Sequence, residues 1–207
     1  MSDSPSSADA RPSDDTLVLA SRSPRRHQLL AEAGIAFEAL PVDLDETPVP
    51  GEGAEATVIR LAREKAQAGA ERVAPGRLVL GSDTGVILDD RLFGKPTDAA
   101  DAVRLLETLL GRTHRVTTAV ALAESGSGRV WSCAVSTEVT MRAAPRDEVE
   151  AYVATGEPMD KAGGYGFQGE GRRFVTRIEG SATNVIGLPL DETRALLERA
   201  ARERGSR

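Results

Sequence analysis

Aromatic residues, cysteine and histidine are all scarce in this sequence. Phe, Trp and Tyr make up 3% of the 207 residues, so the core has to be built mainly from aliphatic side chains. A single cysteine, Cys133, excludes an intramolecular disulfide, and together with only His27 and His114 it does not form a zinc-site pattern. Cys133 falls in an apolar run and is predicted to be a buried strand residue. A lone thiol suits a reducing compartment, so we expect a cytoplasmic protein.

Long apolar runs and a positive overall charge are also missing. No run approaches the length of a membrane-spanning helix, and residues 1–15 lack the apolar centre of a signal peptide. We expect these Pro- and Ser-rich residues to form a disordered tail before a single domain over residues 16–207. The net charge of -6 disfavours polyanions, so we expect neither nucleic acid nor a membrane as partner. A local basic cluster can still bind a small phosphorylated ligand.

Apolar periodicity and turn residues predict alternating strands and helices. Strands are expected over residues 16–20, 37–42, 78–80, 85–88, 116–123, 130–141 and 174–178. Helices are expected over residues 24–33, 55–72, 98–110, 145–155 and 190–204, the first with Ser23 as N-cap and Pro24 at the first helical position. Because helices alternate with strands early and a long hairpin lies in the middle, we predict an α/β fold with a mixed twisted sheet flanked by helices.

The first segment that suggests chemistry runs from Leu19 to Arg26. A strand leads through Ser21 into the start of a helix, whose free N–H groups and dipole attract anions. Arg25 and Arg26 are unfavourable at this positive helix end, and a bound phosphate would remove the conflict. The alternative is two solvated arginines, and this segment alone does not decide between them.

A second segment, Leu80 to Thr84, places Asp83 where the apolar part of a strand is predicted to end. A carboxylate there can bind a divalent ion or polarise an attacking water, although Asp is also a common turn residue. The hairpin that follows turns at Asp89 and Asp90 and can return Lys95 to the same end of the sheet. No Gly-x-x-x-x-Gly-Lys-Ser/Thr run exists, which argues against a P-loop enzyme.

A third segment, Asp160 to Gly169, is rich in glycine and carries Lys161 and Gln168. Closely spaced glycines suit a loop whose backbone approaches a ligand, and Gln168 can both donate to and accept from a base edge. Residues 181–189 are compatible with a loop passing beneath a site. Glu46 and Lys65 are ambiguous on chemistry alone, because an acidic cluster or a helical lysine is usually a solvated charge. Carboxylates, cations and a glycine-rich loop together suit metal-assisted attack on a polyphosphate.

Five motifs, in this order, resemble the Maf family of septum-formation-inhibitor proteins from Thr16 to the last helix. They are LASRSPRRHQLL, RLAREKAQAG, GSDTGVILDDRLFGKP, DKAGGYGFQG and IEGSATNVIGLPL. The resemblance implies an α/β fold similar to inosine triphosphatases, with two lobes around a central cleft and a homodimer as a frequent assembly. It also implies nucleoside triphosphate pyrophosphatase activity with a divalent metal cation, Mg²⁺ or Mn²⁺, and a link to cell-division arrest.

The resemblance assigns roles by position. Asp83 matches the acceptor that activates water, and Glu46 matches an acidic residue that helps to hold the metal. Polar or cationic positions around the phosphates are matched by Ser21, Arg25, Arg26, Lys65, Lys95 and Lys161.

Arg25, Thr84 and Gln168 match positions that distinguish subfamilies, and they resemble the branch that acts on dTTP and UTP. Two alternatives stay open. Residues 45–48 and 81–83 also resemble the 7-methyl-GTP branch, and a nucleotide-binding regulator of septum formation would need no turnover. The leading hypothesis is hydrolysis of dTTP and UTP at the α-phosphorus, which would also clear modified nucleotides.

Overall fold

The computed structural model of the protein describes residues 16–205, so the tail predicted over residues 1–15 lies outside the described residues. The strands are β1 (Leu17–Leu19), β2 (Phe37–Ala39), β3 (Leu78–Leu88), β4 (Arg91–Phe93), β5 (Thr113–Glu124), β6 (Val130–Met141) and β7 (Val175–Glu179). The helices are α1 (Pro24–Glu32), α2 (Ala54–Ala70), α3 (Ala99–Leu109), α4 (Arg146–Val153), α5 (Ala182–Ile186) and α6 (Leu190–Gly205). Short 3₁₀ turns cover Glu157–Asp160, Ala162–Gly164 and Glu170–Phe174. None of the helices in residues 16–205 is both long and apolar enough to cross a membrane.

The strands form one mixed sheet in the order β2-β1-β3-β5-β6-β7, with β4 paired to β3. Strand β1 is parallel to both β2 and β3, whereas β3, β5, β6 and β7 are antiparallel neighbours. This confirms the α/β class and the mixed sheet expected from the sequence. Cys133 lies in β6 as predicted but is only partly buried.

Ser23 is the N-cap of α1 and Pro24 its first helical residue, as predicted, although the Ser23 side chain makes no capping hydrogen bond. One local prediction was wrong. The segment expected to be a loop over residues 181–189 contains α5, because the Ser181 side chain accepts from the Asn184 N–H and caps a short helix. Helix α3 begins at Ala99, and Asp98 caps it, since its carboxylate accepts from the Asp101 N–H at 2.7 Å.

Buried apolar side chains form separate clusters towards the two ends of the long strands. Leu80 of β3 and Leu122 of β5 pack together with α1 and α6. Val86 of β3 and Val116 of β5 pack with α3 and α4. Between the clusters the strands carry buried polar side chains, namely Ser82, Thr117, Thr118 and Thr137. The polar residues therefore lie between the two apolar clusters, and the two lobes with a central cleft stay a prediction.

A buried histidine–tyrosine pair lies in the α3–α4 half of the protein. His114 Nε2 is 2.7 Å from Tyr165 Oη, and the two rings meet edge to face. Among the described residues nothing hydrogen-bonds His114 Nδ1. Burial lowers the pKa of His114 to about 4, so the imidazole is neutral near pH 7.

This burial predicts that stability falls in mildly acidic solution. In the unfolded chain His114 takes up a proton near pH 6.5, whereas in the folded protein it does so only near pH 4. The free energy of unfolding should therefore fall by about 2 kcal/mol between pH 7 and pH 5 from this residue. Urea unfolding at several pH values measures the decrease. His114→Phe should reduce it, and an unchanged decrease in that variant would contradict the assignment.

Candidate active site

The centre of β3 has an open edge. On the side away from β5, β3 pairs with β1 only as far as Leu80 and with β4 only from Val86. Within residues 16–205, no strand pairs with residues 81–85 on that side, whereas β5 pairs with them continuously on the other. Asp83 thus lies in the middle of an 11-residue strand rather than at a strand end, which corrects the sequence prediction. Its side chain is still partly exposed, where the neighbouring strands stop on either side of it.

Helix α2 packs directly on this part of β3. A Cβ atom on Gly81 would overlap the backbone of Ala62 and Ala66 in α2, so only glycine fits there. Because side chains alternate along a strand, Gly81 and Asp83 face the same helix. The close approach brings Lys65 of α2 to the Asp83 carboxylate.

Lys65 bridges two carboxylates. Its Nζ lies 2.6 Å from Asp83 Oδ1 and 2.6 Å from Glu46 Oε1. The side chains of Lys65 and Asp83 are only 12% and 14% exposed, so this is a largely desolvated contact rather than a surface ion pair. Burial alone would raise the pKa of Glu46, but Lys65 and the nearby Lys95 and Arg26 lower it below its usual value. Glu46 is therefore held ionised beside Asp83.

Among residues 16–205, no carboxylate is bonded directly to Arg26 to balance its charge. Its Nε donates to Gly187 O at 2.8 Å, and its two terminal nitrogens donate to Thr84 Oγ1 at 3.0 Å and to Ser21 Oγ at 3.3 Å. Burial lowers the pKa of Arg26, while the nearby Asp83 and Glu46 act in the opposite direction. All three bonded partners are neutral, so an anionic ligand at this helix end would provide the missing counter-charge.

A pocket opens beside Arg25 and Lys161. Arg25 Nη1 and Lys161 Nζ contact the two oxygens of Asp160 at 3.0 and 2.6 Å, which ties α1 to the glycine-rich segment. The pocket wall is mainly apolar and aromatic, with two neutral polar side chains. It includes Thr84, Val86, Val116, Tyr165, Phe167 and Gln168. Such a wall suits a flat heterocycle, and the two cations suit the anionic part of the same ligand.

The glycines of the segment from Asp160 to Gly169 mainly allow the segment to pack against its neighbours. The glycine pattern in the sequence did not predict this. Glu157 accepts hydrogen bonds from the Tyr152 hydroxyl and from the N–H groups of Glu170 and Gly171. A Cβ on Gly169 would overlap the Glu157 carboxylate. The segment is therefore folded around a partly buried acid, and it presents side chains rather than a backbone cradle to the pocket. Glu157 precedes the motif in sequence, so the motif itself gave no sign of it.

The two carboxylates fit a metal ion that binds together with a phosphorylated ligand. Glu46 and Asp83 converge on one cationic atom, Lys65 Nζ, which shows that a positive charge is stabilised at this point. No group of three or more His, Cys, Asp or Glu side chains arranged for a metal is present among residues 16–205. Mg²⁺ is commonly held by one or two carboxylates with water and phosphate oxygens, and this donor set suits that mode.

The structure brings most of the predicted residues close together. Contacts join Ser21, Arg26 and Thr84 in one group and Glu46, Lys65 and Asp83 in another, and Arg26 is near enough to both acids for them to influence its pKa. The pocket is lined by Arg25, Thr84, Lys161 and Gln168. Lys95 is exposed after β4, close enough to Glu46 to influence its pKa. Their chemical roles stay predictions. The helical Lys65, which sequence alone left ambiguous, is the most buried cation among the ion pairs of the described residues.

Comparisons with known proteins extend over nearly the whole chain. A family model described as "Maf-like protein" matches residues 16–200. The chain is 50% identical over 186 residues to a protein of Anaeromyxobacter dehalogenans named dTTP/UTP pyrophosphatase, covering 89% of this chain and 93% of the relative. A protein of the same name from Escherichia coli is 50% identical over 182 residues, covering 88% and 91%. A solved nucleoside-triphosphatase/dITP/XTP pyrophosphatase from Mycobacterium abscessus aligns over 91% of this chain and 96% of its own, with 17% identity and a TM-score of 0.41.

The contacts of Arg26 predict a structural contribution beyond its charge. Arg26→Met removes three hydrogen bonds that join α1, β3 and the turn after α5, and should lower the free energy of unfolding by about 2 kcal/mol. Arg22→Met is the matched control, because Arg22 pairs with Asp43 where both side chains are mostly exposed, and it should cost less than about 0.5 kcal/mol. Urea unfolding measures both. Equal midpoints for the two variants would show that the Arg26 contacts are not stabilising.

Proposed function

The chain belongs to the family of Maf-like proteins, and from this premise we propose that it is a nucleoside triphosphate pyrophosphatase acting on dTTP and UTP. The observation that carries the proposal is the Asp83 carboxylate, which a buried lysine holds at an open strand edge near the Arg26 guanidinium and an apolar pocket. The relatives named dTTP/UTP pyrophosphatase, at 50% identity over nearly the full chain, support the same activity.

The pocket binds the base, and the cations bind the triphosphate. The base lies against Tyr165 and Phe167, where Gln168 offers a donor and an acceptor to its edge. Arg25, Arg26, Lys95 and Lys161 neutralise the triphosphate, as the sequence suggested. Neutralisation matters most for the leaving pyrophosphate, because negative charge grows there as the bond breaks.

Asp83 orients the attacking water. Within the described part of the chain, only Oδ1 of Asp83 is hydrogen-bonded, to Lys65, and this fixes the carboxylate while Oδ2 stays available to water. The water oxygen attacks the α-phosphorus, its proton passes to Asp83, and the bond from the α-phosphorus to the bridging oxygen breaks. The products are the nucleoside monophosphate and pyrophosphate.

Glu46 and Asp83 are the residues that would hold a divalent cation, Mg²⁺ or Mn²⁺. When bound, such an ion supplies positive charge to the phosphate oxygens. Clearance of modified pyrimidine nucleotides, a link to cell-division arrest, a cytoplasmic location and a homodimer all belong to this proposal as further expectations.

Replacing the proposed general base tests the mechanism. Asp83→Asn keeps the size of the side chain but removes a basic oxygen, so kcat for pyrophosphate release from UTP should fall by about 10²- to 10⁴-fold. Asp89→Asn is the control: it makes the same change at the end of the same strand, at a turn with a φ of 49° that asparagine also tolerates. Circular dichroism checks that both variants are folded. Near-normal turnover by Asp83→Asn would overturn the assigned role.

The pocket also predicts a substrate order. The base of 7-methyl-GTP is a cation, and the pocket is lined by Arg25 and Lys161, so repulsion disfavours it relative to the neutral bases of dTTP and UTP. We expect kcat/KM for dTTP and UTP to exceed that for 7-methyl-GTP by at least about tenfold. A pyrophosphate assay with Mg²⁺ or Mn²⁺ measures this. The reverse order would favour the 7-methyl-GTP branch, and binding without any pyrophosphate would favour a regulator.

A further inference from the structure

A buried polar network runs from the pocket wall through β5 to α5. Asn184 of α5 is fully buried. Its Oδ1 accepts from the Thr118 backbone N–H at 3.1 Å, and its Nδ2 donates to Val116 O at 2.8 Å and to Thr137 Oγ1 at 2.9 Å. A backbone N–H can only donate and a carbonyl oxygen can only accept, so these partners fix the orientation of the amide.

The Thr118 hydroxyl donates its only proton to Asn184. Thr118 Oγ1 lies 2.9 Å from the backbone carbonyl oxygen of Asn184, which accepts but cannot donate. Thr118 Oγ1 also lies 3.0 Å from Thr84 Oγ1. Because the Thr118 proton points to Asn184, Thr118 can only accept from Thr84, and the Thr84 proton is directed into the protein.

Within the part of the chain that the structure describes, the other hydrogen bond of the Thr84 hydroxyl comes from Arg26. Arg26 Nη2 donates to Thr84 Oγ1 at 3.0 Å, and a guanidinium has no acceptor to offer in return. Thr84 thus uses its proton on Thr118 and one lone pair on Arg26. One lone pair is left, and Thr84 lines the pocket. The hydroxyl, which in isolation can either donate or accept, is a fixed acceptor here.

A fixed acceptor selects the base that offers a donor. Uracil and thymine carry one ring N–H on their pairing edge, at N3, between two carbonyl oxygens. Cytosine has a lone pair at N3, which would face the Thr84 lone pair without a proton between them. We infer that Thr118 and Asn184 are positioning residues that set the Thr84 hydroxyl to accept the N3–H of uracil or thymine. The inference rests on the proposed function, because it requires a pyrimidine base in this pocket.

The test measures how strongly each variant prefers UMP to CMP. Thr118→Val keeps the shape of the side chain but removes the oxygen that accepts from Thr84. The Thr84 proton can then turn to the cytosine N3, so the ratio of Kd for CMP to Kd for UMP should fall about tenfold. Isothermal titration calorimetry with UMP and CMP gives both constants and does not depend on turnover. Thr118→Ser retains the hydroxyl and should restore the ratio of the unmodified protein.

Thr117→Val provides the matched control. Thr117 is also fully buried in β5, but its hydroxyl bonds to Ser136 at 2.8 Å and has no contact with Thr84, so the ratio should not change. Thr118→Ala also removes the hydroxyl and replaces the valine variant if valine is not accommodated. An unchanged ratio in a folded Thr118→Val or Thr118→Ala protein overturns the inference, as does an equal loss of affinity for both nucleotides. Failure of the unmodified protein to bind either nucleotide would instead overturn the proposed function.

Discussion

The site depends on how closely α2 approaches β3. Gly81 removes the side chain that would hold the helix away, and the helix backbone at Ala62 and Ala66 occupies that space. The contact brings Lys65 to Asp83 and Glu46, so a buried cation stabilises two carboxylates that would otherwise repel each other. A larger residue at position 81 would separate the helix from the strand and with it the lysine from both acids.

The second requirement is that neighbouring strands end where the site begins. Had β1 or β4 continued along β3, backbone pairing would have covered residues 81–85 on that side. The chain leaves β1 at Ser21 and immediately forms α1, which places Arg26 over the gap. The change from β1 to α1 therefore leaves the edge of β3 open and also places a cation beside it.

Sequence patterns predicted most elements because the apolar periods are clear, as in α3 and in the β5–β6 hairpin. They missed the contacts that depend on strand register. Thr84 and Thr118 are 34 positions apart and face each other only because β3 and β5 pair at that register. Likewise, the place of Asp83 within its strand and the burial of Lys65 follow from tertiary packing. The resemblance to a family named residues that the structure places near one another, and their roles stay predictions. It gave no account of Glu157 or Asn184.

The pairing of β3 with β5 is unbroken from Leu78 to Ile87 and so runs through both apolar clusters. Bending the two halves about a hinge between them would break backbone hydrogen bonds in the middle of this ladder, at Asp83 and Thr84. We therefore expect β3 and β5 to stay rigid relative to each other during turnover. Admission of ligand and release of product then fall to the segments outside the ladder: residues 40–53, which carry Glu46, and the turns at 157–174, which carry Lys161 and Gln168.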